Sequence, residues 1–424
     1  MYKVKTLVVI ILFCISFVFP IATARSEEIT GQSIYEHNKD KICDINTTVH
    51  FKDGTTKEWA GTGFFVDKEG HLLTVAHVIK LELANKITRA QLDSIKEYSY
   101  WIVVQSRNRK YRAKFSGSID DADIGMLQAQ NIEPSGYSAV KIGDPSKVKV
   151  GERDWAIGNP CHLANSLTSG TVSFLHRRLN AHYIDDFIQT DCPINHGNSG
   201  CPVFNEKEEV IGIADWVYDN NDGLAFAHSI GLARIDLLKK GEIKPPTTGF
   251  DIMLSNFPRD GENRDSPGNE DIKEIEKQTG IEYIGDKLAL AKESWNDHSA
   301  IITEIDEFED PKSNEKEPSA AKKAGLEKGD LIISMDDKPI ATGMDIRIFL
   351  IDKKAGDKIK IVFKRSEHGK IVEKKTELTL TKRIYPSDMP EKKKDSGKEQ
   401  EQRLPQDNDK DDDAETRVKS LRIK

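Results

Sequence analysis

The sequence predicts a mainly β protein: two β-barrels, then a small α+β unit and a disordered tail. Three observations carry this reading. From about 41 to 235, short apolar runs alternate with Gly, Asn and Asp turns, the pattern of barrels or sandwiches. From about 241 to 280 the composition shifts to Pro, Gly, Asn and charge, with Pro245-Pro246 and Arg259-Asp260-Gly261-Glu262-Asn263 as linker chemistry. From 384 onward the side chains are nearly all charged or polar and their charges nearly cancel, so this stretch has too little apolar surface to fold.

Taken in order, the chain opens with Lys3 and Lys5 before an apolar run from Leu7 to Ile21, and Ala22-Thr23-Ala24 offers a small-x-small cleavage site. That reads as a signal peptide over 1–25, and hence a periplasmic or secreted product; an uncleaved inner-membrane anchor is the alternative. Residues 26–40 form a polar lead-in. Expected strands include 63–66, 101–105, 124–129, 154–157, 170–175 and 210–216, whereas the Leu, Ile and Tyr spacing over 80–98 reads as an inserted helix. With 424 residues, 37% of them apolar, the chain has material for two or three domains. A net charge of −8, with no basic patch interleaved with aromatics, argues against a nucleic-acid partner.

Five cysteines occur, of which Cys14 would leave with the leader. Cys43, Cys161, Cys192 and Cys201 remain, as disulfides in an oxidising compartment or as buried thiols, and sequence does not choose the pairing. A Cys192–Cys201 bridge would stiffen the loop between them. The spacing does not suggest a zinc site, and neither metal nor organic cofactor is implied.

That loop, Asn195-His196-Gly197-Asn198-Ser199-Gly200, carries the chemistry. It exposes a serine on a tight turn where backbone N–H groups can converge on one point, as a nucleophile beside an oxyanion hole requires. Upstream, the apolar run Leu72-Leu73-Thr74-Val75-Ala76 ends at His77, and Asp123 directly precedes the apolar strand Ile124-Gly125-Met126-Leu127. Taken singly, the serine loop reads as a plain turn, His77 as a core histidine and Asp123 as a turn former. Together, in the order His, Asp, Ser, they match the two-barrel serine proteases. Asp120 and Asp121 are rivals for the carboxylate. His71, His162 and His196 read as solvent-facing loop residues.

The runs Thr62-Gly63-Phe64-Phe65-Val66 to His77-Val78-Ile79, Asp121-Ala122-Asp123-Ile124-Gly125, Gly158-Asn159-Pro160 to Thr168-Ser169-Gly170-Thr171-Val172-Ser173, and Ile188-Gln189-Thr190-Asp191 to Asn198-Ser199-Gly200 resemble the trypsin-like serine proteases of the HtrA (DegP-type) family. The resemblance covers about 40–240 and implies a chymotrypsin-like double barrel with His77, Asp123 and Ser199 as catalytic residues. The N–H groups of Gly197 and Ser199 would form the oxyanion hole. His196 and Cys201 stand where the family commonly has proline and glycine. Ile194, Leu224, Ala225 and Phe226 would line the primary pocket; none is acidic, so cleavage after small or medium apolar residues is expected.

Past the linker, residues 281–383 resemble a PDZ domain through Ala324-Gly325-Leu326 and Gly329-Asp330-Leu331-Ile332. A strand at 300–305, a helix stopped by Gly325, and the turn-strand-turn of 328–340 fit that unit, and the charged stretch 307–317 reads as an exposed insertion. Such domains take C-terminal peptides by strand addition. Ser299-Ala300-Ile301-Ile302 is the expected carboxylate-binding turn, without the family's usual glycine. The family resemblance implies an exported endopeptidase acting on misfolded or unfolded polypeptides in protein quality control, with a homotrimer as its common assembly. A non-proteolytic PDZ scaffold or chaperone, and a narrow-specificity processing protease, are the competing readings.

Overall fold

The structure, a computed structural model, describes residues 29–84, 89–133, 137–159, 165–179, 181–195, 197–217, 223–252, 300–305, 307–309, 316–368 and 370–383. The expected leader, the tail, most of the linker, Cys161, His162, His196 and Ser299 lie outside the described residues. Among the described residues, no helix is long and apolar enough to cross a membrane.

Six strands close the first barrel: β1 (Ile42–Phe51), β2 (Thr56–Phe65), β3 (His71–Val75), β4 (Ile95–Val104), β5 (Arg109–Ile119) and β6 (Ile124–Ala129), in the order β1-β2-β3-β6-β5-β4. In β1, Ile45, Thr47 and Val49 point inward on alternate positions, the period-2 signature of a strand with one wet face. All of β3 is buried. His71 is therefore not solvent-facing as expected: it is 9% exposed and its Nδ1 lies 2.8 Å from Asp67, which also pairs with Lys239 at 2.7 Å.

The helix expected over 80–98 is corrected. A single turn at Leu81–Ala84 and a short helix at Arg89–Asp93 occupy part of it, and β4 begins at Ile95. Tyr98 pairs with Val49 and Tyr100 with Thr47 on β1, so alternation and cross-strand pairing override the local helical spacing.

The second barrel is built from β8 (Arg153–Gly158), β9 (Ser166–Arg177), β10 (Phe187–Thr190), β11 (Pro202–Phe204), β12 (Glu209–Val217) and β13 (Ala225–Ser229). Its order is β11-β8-β9-β10-β13-β12; β11 also pairs with β12 and closes the ring, and β7 (Lys141–Ile142) adds in parallel to β12. One apolar core runs from Phe64, Leu73 and Ile124 of the first barrel to Trp155, Phe204 and Ile213 of the second. The lead-in forms a helix, Gly31–Asn38, started by a reciprocal Thr30/Ser33 cap.

In the third unit, β18 (Leu331–Met335), β19 (Lys338–Pro339), β20 (Lys358–Glu367) and β21 (Lys370–Thr379) form a sheet in the order β19-β18-β20-β21. Separately, β14 (Phe250–Ile252), from the stretch expected as linker, pairs with β15 (Ile302–Ile305). Strands β16 (Glu307–Glu309) and β17 (Lys316–Pro318), in the expected insertion, pair as a hairpin. Phe250, Ile302, Leu326, Ile332, Phe349, Ile361 and Leu378 make the core. The expected helix runs Ala320–Lys323, capped by Ser319, with Gly325 at φ +74 past its end. A second helix, Gly343–Ile351, is capped by Thr342 and Asp345 and sends Met344 and Ile351 into the core shared with the barrels.

Candidate active site

His77 follows β3 directly, in the one-turn helix Ala76–Ile79. Asp123 precedes β6 across the ladder from it, in the left-handed conformation at φ +49. The β3–β6 pairing, Val75 against Ile124, sets the two side by side. Asp123 then grips His77 twice: Oδ1 accepts from the His77 backbone N–H at 2.7 Å, and Oδ2 lies 2.6 Å from Nδ1. That fixes ring orientation and places the Nδ1 proton toward the carboxylate, leaving Nε2 for a proton acceptor's role. The rivals are engaged elsewhere: Asp120 binds Lys80 and Ser118, and Asp121 binds Arg383 at 2.8 Å.

Ser199 comes from the second barrel, and its loop is lashed to the first. The Thr62 N–H of β2 donates to Ser199 O at 2.9 Å, and Thr62 Oγ1 donates to Gly197 O at 2.8 Å. Gly200, at φ +89, lies so near that a Cβ there would sit 2.2 Å from both Thr62 O and Thr74 Oγ1. Within the loop the amides of Asn198, Gly200 and Cys201 donate to Asn195, Ala214 and Asn198 carbonyls. Among the described residues the amides of Gly197 and Ser199 have no such acceptor, which is the disposition an oxyanion hole needs. Ser199 Oγ donates to the backbone carbonyl of Asp215 at 3.3 Å. Cys43, Cys192 and Cys201 are buried free thiols, and burial pushes the Cys192 thiol up to about 12.

Three residues that the sequence reading did not single out complete the site. Asp215 is the extra residue of a β-bulge: Ala214 faces Ala227 and Trp216 faces Phe226, so Asp215 has no partner in register. The bulge turns its carboxylate inward, 3.6 Å from His77 Nδ1 and 3.0 Å from both His182 Nε2 and His228 Nε2. Burial disfavours the charged form of Asp215, yet His228, His182 and His77 hold its carboxyl well below the usual range. Burial likewise works against a charged His77, but Asp123 and Asp215 outweigh it and raise its pKa. For His182, burial is overcome by Asp215 and Asp123, which lift it to about 9. A charged residue inside the apolar run Ile211–Val217 and a histidine inside Ala225–Ser229 were legible signals; His182, in a loop, left none.

Of the expected pocket residues, Ile194 and Ala225 share an apolar cluster with Cys201 beside this loop. Ile194, Ala225 and Phe226 are buried and Leu224 is partly so, with β13 lying between β10 and β12. In the third unit Ala300, Ile301 and Ile302 are buried. The Ile302 N–H donates to Asp330 O at 2.9 Å, and Ala300 O accepts from Ile332 at 3.0 Å. The Ile302 N–H is thus engaged within the unit, while Ser299 of the expected turn lies outside the described residues.

A trypsin-like peptidase domain family matches residues 61–213, and a PDZ domain family matches 313–380. A probable periplasmic serine endoprotease, DegP-like, from Pseudomonas putida strain GB-1 is 31% identical over 308 residues, covering 71% of this chain and 52% of the relative. The periplasmic pH-dependent serine endoprotease DegQ of Escherichia coli K12 is 30% identical over 331 residues, covering 76% of this chain and 59% of that protein. The chain thus spans about half the length of the curated relatives it matches. The solved HtrA-type protease AlgW with a tripeptide superposes with a TM-score of 0.58 over 84% of this chain and 99% of that one, at 19% identity, a likeness of fold. The chain thus carries a trypsin-like peptidase domain over residues 61–213 and a PDZ domain over 313–380, and is similar to DegP- and DegQ-type serine endoproteases.

Proposed function

We propose that the protein is an exported serine endopeptidase that hydrolyses peptide bonds of unfolded or misfolded polypeptides through an acyl-enzyme. The observation that supports it best is the double grip of Asp123 on His77, at 2.7 and 2.6 Å, beside a serine loop whose Gly197 and Ser199 amides have no acceptor among the described residues. A serine hydroxyl is a poor nucleophile until a base takes its proton. Ser199 Oγ leaves the Asp215 carbonyl by rotation about Cα–Cβ and attacks the scissile carbonyl carbon while His77 Nε2 accepts its proton. The oxyanion formed sits between the Gly197 and Ser199 amides, each worth on the order of 3 kcal/mol in the transition state. Collapse expels the amine, which takes the proton back from His77. Water, deprotonated by His77, then cleaves the ester.

Periplasmic location is supported by the leader-like residues 1–25 and by the names of the relatives. The non-acidic pocket of Ile194, Leu224, Ala225 and Phe226 favours small or medium apolar residues before the cut. Binding of C-terminal peptides is the reading for the PDZ unit, since neighbours of the same fold are solved with a decapeptide and a tripeptide. A fluorophosphonate probe tests the chemistry. It should label the purified protein and not its Ser199→Ala variant, while His77→Ala and Asp123→Ala should label at least a hundredfold more slowly. An unlabelled wild type, or a labelled Ser199→Ala, ends this reading.

A further inference from the structure

Asp123, His182, Asp215 and His228 each offer one ligand atom, and these four atoms lie within 4.8 Å of one another. The peptidase mechanism uses one of the four. We propose that they form a binding site for a divalent transition metal of the zinc class, whose occupancy withdraws Asp123 from His77 and silences the protease. The silencing rests on the protease reading above; the binding does not.

Donor chemistry and geometry support it. Two imidazoles and two carboxylates are a zinc-type donor set. A tetrahedral ion with ligands at about 2.0–2.1 Å spaces its donors about 3.3 Å apart. Here His182 Nε2 and His228 Nε2 each lie 3.0 Å from Asp215 Oδ2, and His182 Nε2 lies 3.9 Å from Asp123 Oδ2. Small side-chain shifts close the difference.

A second observation points the same way. His228 is fully buried: its Nε2 lies 3.0 Å from Asp215 Oδ2, aimed at the cluster, and among the described residues its Nδ1 has no hydrogen-bond partner. Nε2 thus reaches the cluster from a fully buried ring, and a metal ion there would take its lone pair. The Phe187 ring, 4.5 Å from that of His228, holds it in place. Entry is available through His182, whose side chain is 24% exposed, while Asp123, Asp215 and His228 are 5% or less.

The consequence follows from one shared atom. Asp123 Oδ2, the oxygen nearest His182, is the oxygen that holds His77 Nδ1 at 2.6 Å. Bound to a cation, it is a weaker acceptor for His77, and the added positive charge beside His77 opposes formation of its imidazolium.

Zinc chloride titrated calorimetrically into the metal-free Ser199→Ala full chain tests binding without any need for activity. About one equivalent should bind, and His182→Ala/His228→Ala should bind at least tenfold more weakly, with unchanged circular dichroism as the control for folding. Cobalt(II) should give the intense visible bands of a four-coordinate centre in the parent and lose them in the double variant. In the active chain, stoichiometric zinc should cut peptide hydrolysis at least tenfold and EDTA should restore it. No binding, or equal binding by the double variant, overturns the site. Binding without inhibition overturns the silencing. A chain inactive even in EDTA fails the protease reading instead, and the calorimetry still decides the site.

Discussion

Asp215 stands within reach of three histidines, and its replacement reports on the nearest. With metal removed by EDTA, the acid limb of kcat/KM follows His77, which must be neutral to accept a proton. Asp123 and Asp215 raise its pKa, so that limb should lie above the ordinary histidine value of about 6.5. Asp215→Asn withdraws one of the two negative charges that favour the imidazolium, so the limb should move to lower pH, and kcat should fall as the charged intermediate loses support. A limb that stays put or moves upward contradicts the electrostatics. Asp154 gives an independent test, away from the histidines. Burial pushes its carboxyl up to about 6, against the pull of Thr190 and the Gly170 amide. The folded state therefore holds the Asp154 proton more tightly than the unfolded state does. Stability is lost as pH rises from about 4 to about 6, and stays lower above. Asp154→Asn should thus be more stable than wild type at pH 7.5, by up to about 3 kcal/mol in denaturant unfolding, and the gain should vanish near pH 4. At this scale the sequence singled out His77, Asp123 and Ser199 because chain order and flanking strands mark them, and the structure pairs the first two directly. Asp215 stood out as a charge inside an apolar run, but its inward turn depends on a bulge, a feature of pairing that the run itself does not show.

At the scale of elements, the loop from 178 to 186 joins the catalytic neighbourhood to the PDZ unit. Asp185 ties it internally, accepting from the amides of Leu179, Ala181 and His182 at 3.1, 3.0 and 2.8 Å. The helix Gly343–Ile351 holds it from outside. Arg178 donates to Thr342 Oγ1 at 2.7 Å, and the Asp185 amide meets Met344 Sδ at 3.3 Å. Arg347 donates to Tyr183 O, and the Tyr183 ring lies 3.8 Å from the Arg347 guanidinium and 3.6 Å from that of Arg383. Thr342 serves both partners, as helix cap and as acceptor for Arg178. Thr342→Val keeps the branched shape and removes the hydroxyl. It should cost roughly 1 kcal/mol of stability and quicken amide exchange at Leu179, Ala181 and His182. Exchange confined to the helix start would mean that the loop stands without this contact. The strands were legible wherever alternation was regular. Over 80–98 it was not: the apolar spacing fits a helix, and only the tertiary pairing of Tyr98 and Tyr100 with β1 decides for strand.

At the scale of the molecule, the pocket chemistry predicts the products. Casein digested by the wild type should yield fragments ending mainly in Val, Ala or similar small apolar residues; a majority ending in Lys or Arg would overturn the pocket assignment. The two barrels and the PDZ unit followed from turn spacing and the Ala-Gly-Leu and Gly-Asp signals, whereas the docking of the helix Gly343–Ile351 onto the barrels depends on complementary surfaces that no local pattern encodes. The crossing hydrogen bonds of Thr62 have a further meaning. On the proposed mechanism the proton acceptor belongs to the earlier half of the fold and the attacking alcohol to the later half, and the straps between them exist only once both have formed. During synthesis or after partial denaturation, neither half alone can cut its neighbours. On that mechanism, destructive capacity is withheld until the molecule has passed its own test of foldedness, a safeguard written into the seam between the halves.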